Sequence, residues 1–322
     1  MKAAIRRKYG SPDLISIADI TRPTPKSNEV LLKVHATTVN RTDCAILTAS
    51  YLIMRLYLGL IRPRQIILGT DVAGEVVEIG EGVTEYKVGD RVFGFRDEGL
   101  GSQAEYVAIS NERIFRIPEE ITYAQAAASL EAAHCAYGFL QKIKLEDGQS
   151  VLVNGATGAI GSALLQMIRQ HDIHITATCR VQHFDLVKQL GADQIYDYEQ
   201  EDVMKKGGQY DYVFDAVGKR TFGSSQPVMK SKSAYISSEL GLYGQNIFYA
   251  LKTAKSTTKK VIFPLPEITS NSIPYIIDLL ERGLFQPVID RHYSLNQVRK
   301  AYAYVMSGQK VGNVVLAVSS DV

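Results

Sequence analysis

Hydrophobic and polar positions follow two periods in turn along this chain. Over the first 120 residues the apolar positions fall in short β-branched runs bounded by turn signals. These runs are Val30-Leu31-Leu32-Lys33-Val34-His35-Ala36, Val72 to Ile79, and Arg91-Val92-Phe93-Gly94-Phe95 after Gly89-Asp90. They predict a mostly β region with glycine-marked corners. Near Thr122 the period lengthens. Thr122-Tyr123-Ala124-Gln125 has the form of a capping box, in which the hydroxyl accepts from the third amide and the glutamine reaches back, so a helix is predicted to about Leu140. From Ser150 strand and helix alternate. Val151-Leu152-Val153, Ile173 to Cys179, Tyr212-Val213-Phe214 and Ala234-Tyr235-Ile236 read as strands. Ile160, Leu164, Met167 and Ile168, then Phe184, Val187 and Leu190 before Gly191, have helical spacing. Such alternation builds a parallel, doubly wound sheet. A helix around Ile276 to Arg282 and a strand-like stretch from Val311 to Val318 close the chain.

Composition narrows the class. The chain has 322 residues, 46% hydrophobic and 22% charged, which suits a globular protein of about two domains with a cleft between them. Lys and Arg number 36 against 34 Asp and Glu, a net charge of +2, so no global field draws the protein to nucleic acid or an anionic membrane. The most apolar window, Tyr51 to Leu68, is broken by Arg55, Arg62, Pro63 and Arg64, against the roughly 20 apolar residues a spanning helix needs. Cys44, Cys135 and Cys179 are too few and scattered for a disulfide framework or a four-thiolate zinc site, and the N-terminus lacks a secretory apolar stretch, so a cytoplasmic location is expected.

One segment carries chemistry. Val151 to Asn154 runs into Gly155-Ala156-Thr157-Gly158-Ala159-Ile160-Gly161, a strand, turn and helix with glycines three apart. The first glycine suits a tight turn, the second lets backbone approach a pyrophosphate, and the third packs helix on strand, while the helix N-terminus offers amides to the phosphates. The spacing is G-x-x-G-x-x-G rather than the commoner G-x-G-x-x-G. NAD sites usually place an acid roughly 20 residues further on, for the ribose 2′-hydroxyl. Here Ala177 to His183 holds none, and Arg180 offers a fork of donors to a 2′-phosphate, so NADPH is the favoured cofactor.

Several motifs in order resemble those of medium-chain dehydrogenases/reductases, in the zinc-free, quinone-oxidoreductase-like branch. They are Val39-Asn40-Arg41-Thr42-Asp43, Leu68 to Val76, Val88-Gly89-Asp90-Arg91-Val92, the glycine loop, Leu190-Gly191-Ala192-Asp193, Phe214-Asp215-Ala216-Val217-Gly218 and Lys310 to Leu316. The resemblance covers nearly the whole chain. It implies an α/β protein with a GroES-like, mostly β catalytic domain from residues 1–121 and 268–322, and a Rossmann domain over 122–267. It also implies that Ala216 and Val217 border the nicotinamide, with Ser237 and Ser238 at the next strand end. Cys135 would stand near the cofactor, Tyr198 beside the adenosine phosphate, and Asn313, in the Lys310–Val314 stretch, near the cofactor from the chain's end. A homodimer is expected on the same ground.

The departures from the zinc-dependent relatives bear on mechanism. Where those carry a Cys, this chain has Asn40; where they carry a His-Glu pair, it has Thr70-Asp71; only Glu131 remains a plausible ligand, so no metal is expected. Without a Lewis acid, reduction of an activated acceptor is easier than oxidation of a simple alcohol. The expected activity is hydride transfer from NADPH to a quinone or an α,β-unsaturated carbonyl, with a small hydrophobic substrate. Asn40 would fix the nicotinamide ribose or the substrate carbonyl, and a tyrosine of the Tyr51–Tyr57 loop, Tyr51 first, would donate a bond or proton. Two alternatives stay open: a zinc-type alcohol dehydrogenase with degenerate ligands, and a non-catalytic NADPH-binding adaptor or crystallin-like protein.

Overall fold

The computed structural model describes every residue except 50, 51, 98, 238, 242, 243, 265–267 and 320–322, and the side chains of Leu52 and Ile53. In chain order the elements begin with β1 (Lys2–Ile5), β2 (Ser16–Asp19), β3 (Glu29–Val39), α1 (Arg41–Thr48), α2 (Leu52–Leu58), β4 (Asp71–Ile79), β5 (Arg91–Phe95), β6 (Tyr106–Ser110), β7 (Ile114–Arg116) and α3 (Tyr123–Ala128). There follow α4 (Glu131–Leu140), β8 (Ser150–Asn154), α5 (Ala159–Ile168), β9 (His174–Cys179), α6 (Phe184–Gln189), β10 (Gln194–Asp197), β11 (Tyr210–Asp215), α7 (Phe222–Ser225), β12 (Met229–Ile236), α8 (Gln245–Thr253) and β13 (Lys260–Ile262). The chain closes with α9 (Thr269–Glu281), β14 (Ile289–Ser294), α10 (Val298–Met306) and β15 (Asn313–Ala317).

Two compact units result. The first takes Met1–Glu131 and Thr269–Val322, the second Ala132–Ile268. In the first, the β-branched run of β3 is the spine: it pairs antiparallel with β4, β6 and β15, in the sheet order β14-β15-β3-β4-β5-β7. Val314 stands opposite Val39 and Leu316 opposite Thr37, so the last strand is knitted to the early one. Its two sides bury Val30, Leu32, Val34, Val72, Val76 and Ile109, and Leu47, Leu68, Val298, Tyr302 and Val314.

The boundary with the second unit falls at Glu131, about ten residues after the 121/122 position expected from the sequence, and the other at Thr269 rather than 268. The reason is that the helix expected from Thr122 to Leu140 is two helices. Thr122 caps α3 as foreseen, but Ser129 ends it, its hydroxyl turning back to the Ala126 carbonyl at 2.8 Å. The alanine-rich α3 packs on β3, β4 and β15 and so belongs with the first unit.

In the second unit six parallel strands run in the order β10-β9-β8-β11-β12-β13, which is 3-2-1-4-5-6 when counted along the unit. This is the doubly wound order the strand–helix alternation implies, and its order reverses between β8 and β11. Ligands of such sheets lie beyond the carboxyl ends of the strands at that reversal.

Candidate active site

The carboxyl end of β8 delivers the glycine loop. Gly155 has φ +81°, a backbone that L side chains rarely adopt, and a Cβ there would lie 2.4 Å from a Val217 methyl. At Gly161, on the first turn of α5, a Cβ would meet the Gly155 carbonyl at 2.3 Å, so that glycine sets the close packing of helix on loop. Gly158 caps α5 without a side chain, leaving the helix's first amides uncovered by any capping hydroxyl. Ala156 and Thr157 complete the turn, and Ala159 and Ile160 open α5. A Cβ-free cradle on a helix N-terminus fits a pyrophosphate.

The loop is held from behind by a chain of buried hydrogen bonds. The Gly155 amide donates to Thr178 Oγ1 at 3.1 Å, that hydroxyl donates to Asn154 Oδ1 at 2.9 Å, and Asn154 Nδ2 donates to Asp215 Oδ1 at 2.9 Å. Asp215 is fully buried. It also accepts from the amides of Val217 (3.4 Å), Gly218 (3.1 Å) and Arg220 (3.0 Å) and from the Tyr235 hydroxyl (3.0 Å). Burial and the neighbouring carboxylate push the Tyr235 phenol up, so it remains a donor. One carboxylate thus ties together the ends of β8, β11 and β12, where Ala216, Val217 and Ser237 sit. Ser237 is buried and accepts from the Glu239 amide at 3.3 Å; Ser238 lies outside the described residues.

At the end of β9, Arg180 does not stand alone. Its Nε donates to Glu199 Oε1 at 2.8 Å, with both side chains about half exposed, and that hydrogen bond is the first cause raising the guanidinium pKa above its usual value. Tyr198 is 46% exposed beside it. No motif on β9 records Glu199, because it follows the neighbouring strand β10. Cys135 lies on α4, partly buried.

The first unit carries a different cluster. Asn40 caps α1: its Oδ1 accepts from the Asp43 amide at 2.8 Å, and its own amide donates to Asp43 Oδ2 at 3.1 Å. Asn40 Nδ2 faces Thr70 Oγ1 (2.7 Å), Asp71 Oδ2 (3.2 Å) and Thr38 Oγ1 (3.4 Å), and Thr38 donates to Asp71. The side-chain donors of Asn40 are therefore committed within the chain. Asp71 also accepts from the Glu131 amide at 3.3 Å, and Glu131 Oε1 accepts from Thr42 at 2.9 Å. Burial raises the Asp71 carboxyl well above its usual range and pushes Asp43 up to about 8, the other carboxylates adding to both. Asn313 is buried at the start of β15, its Nδ2 donating to the Val288 carbonyl at 3.1 Å. Tyr51 lies outside the described residues. Among the described residues no three His, Cys, Asp or Glu side chains stand where they could hold a metal ion.

The cluster makes a testable demand on stability. A carboxyl whose folded pKa is raised contributes fully below its unfolded value near 4, and that contribution is lost as pH rises through about 8. Asp43→Asn is therefore expected to flatten the decline in stability between pH 5 and 9 by on the order of 3 kcal/mol. Urea melts across that range check it; parallel pH profiles in the two proteins would refute the buried neutral acid.

With this geometry in place, the chain can be set beside known proteins. Residues 26–119 match the family described as "Alcohol dehydrogenase GroES-like domain" and residues 190–316 that described as "Zinc-binding dehydrogenase", the second match beginning well beyond Asn40 and Thr70. The chain is 32% identical to the chloroplast envelope quinone oxidoreductase homolog of Arabidopsis thaliana, over 91% of each sequence. It is 28% identical to that plant's chloroplastic NADPH-dependent alkenal/one oxidoreductase, over 98% of this chain and 79% of the relative. Among solved structures, the quinone oxidoreductase of Coxiella burnetii superposes with a TM-score of 0.86 at 25% identity, covering 99% of both chains.

Proposed function

Because the chain belongs to the zinc-free, quinone-oxidoreductase-like branch of the medium-chain dehydrogenase/reductase superfamily, we propose that it is an NADPH-dependent reductase of quinones or α,β-unsaturated carbonyls. That it is an oxidoreductase using a nicotinamide cofactor follows from the family; the choice of NADPH and of acceptor is our reading. The observation that carries it is the glycine cradle at the reversal point of a 3-2-1-4-5-6 sheet.

When bound, the nicotinamide supplies the hydride, which reduces a quinone or the β-carbon of an enone. The protein's share is placement. Gly155 to Gly161 hold the pyrophosphate on the N-terminus of α5, Arg180 meets the 2′-phosphate with Tyr198 beside it, and the backbone of Ala216 and Val217 borders the nicotinamide with Ser237 at the next strand end. Asp215 acts through them as a positioning residue. In the first unit Asn40 serves to hold Thr38, Thr70 and Asp71 in register, Asn40, Thr70 and Asp71 being positions where a zinc-dependent relative would carry ligands; Asn313 and Cys135 as cofactor-binding residues and Tyr51 as proton donor belong to the same proposal. Catalysis of this kind rests on proximity and orientation. A cytoplasmic homodimer belongs to the same proposal. The homodimer is supported by the edge strand β13, which ends the six-stranded sheet among the described strands, and the cytoplasmic location only by the few, scattered cysteines. No described helix is long and apolar enough to cross a membrane.

Loss of NADPH absorbance with 9,10-phenanthrenequinone, an alkenone and a saturated ketone tests the reading. Turnover is expected with the first two and not with the third. Tight NADPH binding with no turnover of any acceptor would favour the adaptor alternative, and stoichiometric zinc in the purified protein the alcohol dehydrogenase alternative; either defeats the proposal.

A further inference from the structure

We propose that Glu199 sets the cofactor preference of this site. Its carboxylate competes with the ribose 2′-phosphate for Arg180, and accepts from the ribose 2′-hydroxyl when that phosphate is absent, so that the protein takes NADH as well as NADPH. The inference rests on Gly155 to Gly161 being a dinucleotide loop.

The placement follows from strand register. β9 and β10 run parallel with Cys179 opposite Asp197, so Arg180 and the pair Tyr198-Glu199 leave the sheet side by side at its carboxyl edge. A dinucleotide whose pyrophosphate lies over Gly155 to Gly161 extends its adenosine along that edge, toward the end of the second strand of the unit. NAD sites supply their acid at the end of that second strand, and here none follows β9 before Asp185, already in α6. The third strand supplies one instead. Glu199 is aimed by its backbone, whose amide donates to Asp197 Oδ1 at 3.0 Å, and Asp197 is itself buried.

The chemistry of the pair allows both cofactors. Arg180 spends Nε on Glu199, and its two terminal nitrogens carry the remaining donors of the fork. An exposed ion pair of this kind contributes little to stability, so exchanging the carboxylate for a phosphate is inexpensive. With Glu199 ionised, however, a dianionic phosphate approaches a neutral pair rather than a lone cation, which weakens its hold relative to an unopposed arginine. A ribose hydroxyl has the opposite interest: it gains an acceptor from Glu199 and loses nothing to Arg180.

Isothermal titration of the full chain with NADPH and with NADH, without acceptor, reads this directly. The wild type is expected to bind both. Glu199→Gln, which keeps the shape and removes the charge, is expected to tighten NADPH and loosen NADH, raising the preference about tenfold, whereas Arg180→Met shifts it the other way. Titration with 2′,5′-ADP and 5′-AMP confines the effect to the adenosine end and is expected to show the same pattern. A preference unchanged within twofold in Glu199→Gln, or both cofactors moving by one common factor, overturns the role of Glu199 while leaving the reductase reading intact. Failure of the wild type to bind either dinucleotide overturns both.

Discussion

Asp215→Ala is expected to destabilise the second unit by about 4 kcal/mol, because it strands several buried donors at once. Its two oxygens accept from Asn154, Val217, Gly218, Arg220 and Tyr235. Asn154, Asp215 and Tyr235 are themselves buried, so a carboxylate-sized hole is left that water cannot readily fill. A loss of that size is a large share of the roughly 5–15 kcal/mol that holds a typical domain together. Tyr235→Phe removes a single donor and leaves the other bonds to Asp215, so it is expected to cost about 1 kcal/mol. Urea denaturation of the two variants separates these cases: an Asp215→Ala loss no greater than that of Tyr235→Phe would mean the carboxylate is not the hub its geometry indicates. Where the alanine variant does not accumulate, Asp215→Asn serves, since an amide nitrogen placed among donors retains part of the conflict.

The second large effect falls on binding rather than on folding. Gly155→Ala forces a Cβ to 2.4 Å from Val217 Cγ1 and asks an L residue to hold φ +81°. The overlap and the left-handed backbone each cost about 1–2 kcal/mol, and the loop relieves both by moving off the position that receives the pyrophosphate. The expected result is a rise in the NADPH dissociation constant of about 100-fold. Adding Val217→Ala removes the overlap but not the backbone strain, so the double variant is expected to recover about half of that loss on a logarithmic scale. Unchanged NADPH affinity in Gly155→Ala would show that the loop does not cradle the cofactor.

Local chemistry was legible in the chain and tertiary chemistry was not. The glycine loop, the capping box at Thr122 and the strand–helix alternation all depend on residues a few positions apart, and each is found where the pattern places it, whereas the capping box at Asn40 emerges only from the fold. The single helix expected from Thr122 to Leu140 failed at Ser129 because an alanine-rich stretch has high helix propensity on either side of a break imposed by packing on β3 and β4. Glu199 escaped notice for a different reason: it meets Arg180 through the pairing of parallel strands separated by a helix, a distance of 19 residues that no local motif records. The cluster around Asn40 brings in Thr70 and Asp71 from 30 and 31 residues away. Only the fold shows what they are, a buried network with Asp43 and Asp71 held toward neutrality.

The pairing of β15 with β3 orders events during synthesis. The first unit has a seam that closes only with residues supplied after the second unit has been made. At about 5–20 residues per second, the ribosome takes roughly 10–40 s to pass from Glu131 to the end of β15, and for that interval the Ala36–Val39 end of β3, beyond the stretch that β6 pairs, has one edge unpartnered. The second unit, contiguous in sequence, can complete its sheet in the meantime. An open strand edge on a nascent chain is a target for wrong pairing, so chaperone dependence in this protein should be concentrated on its N-terminal β segment.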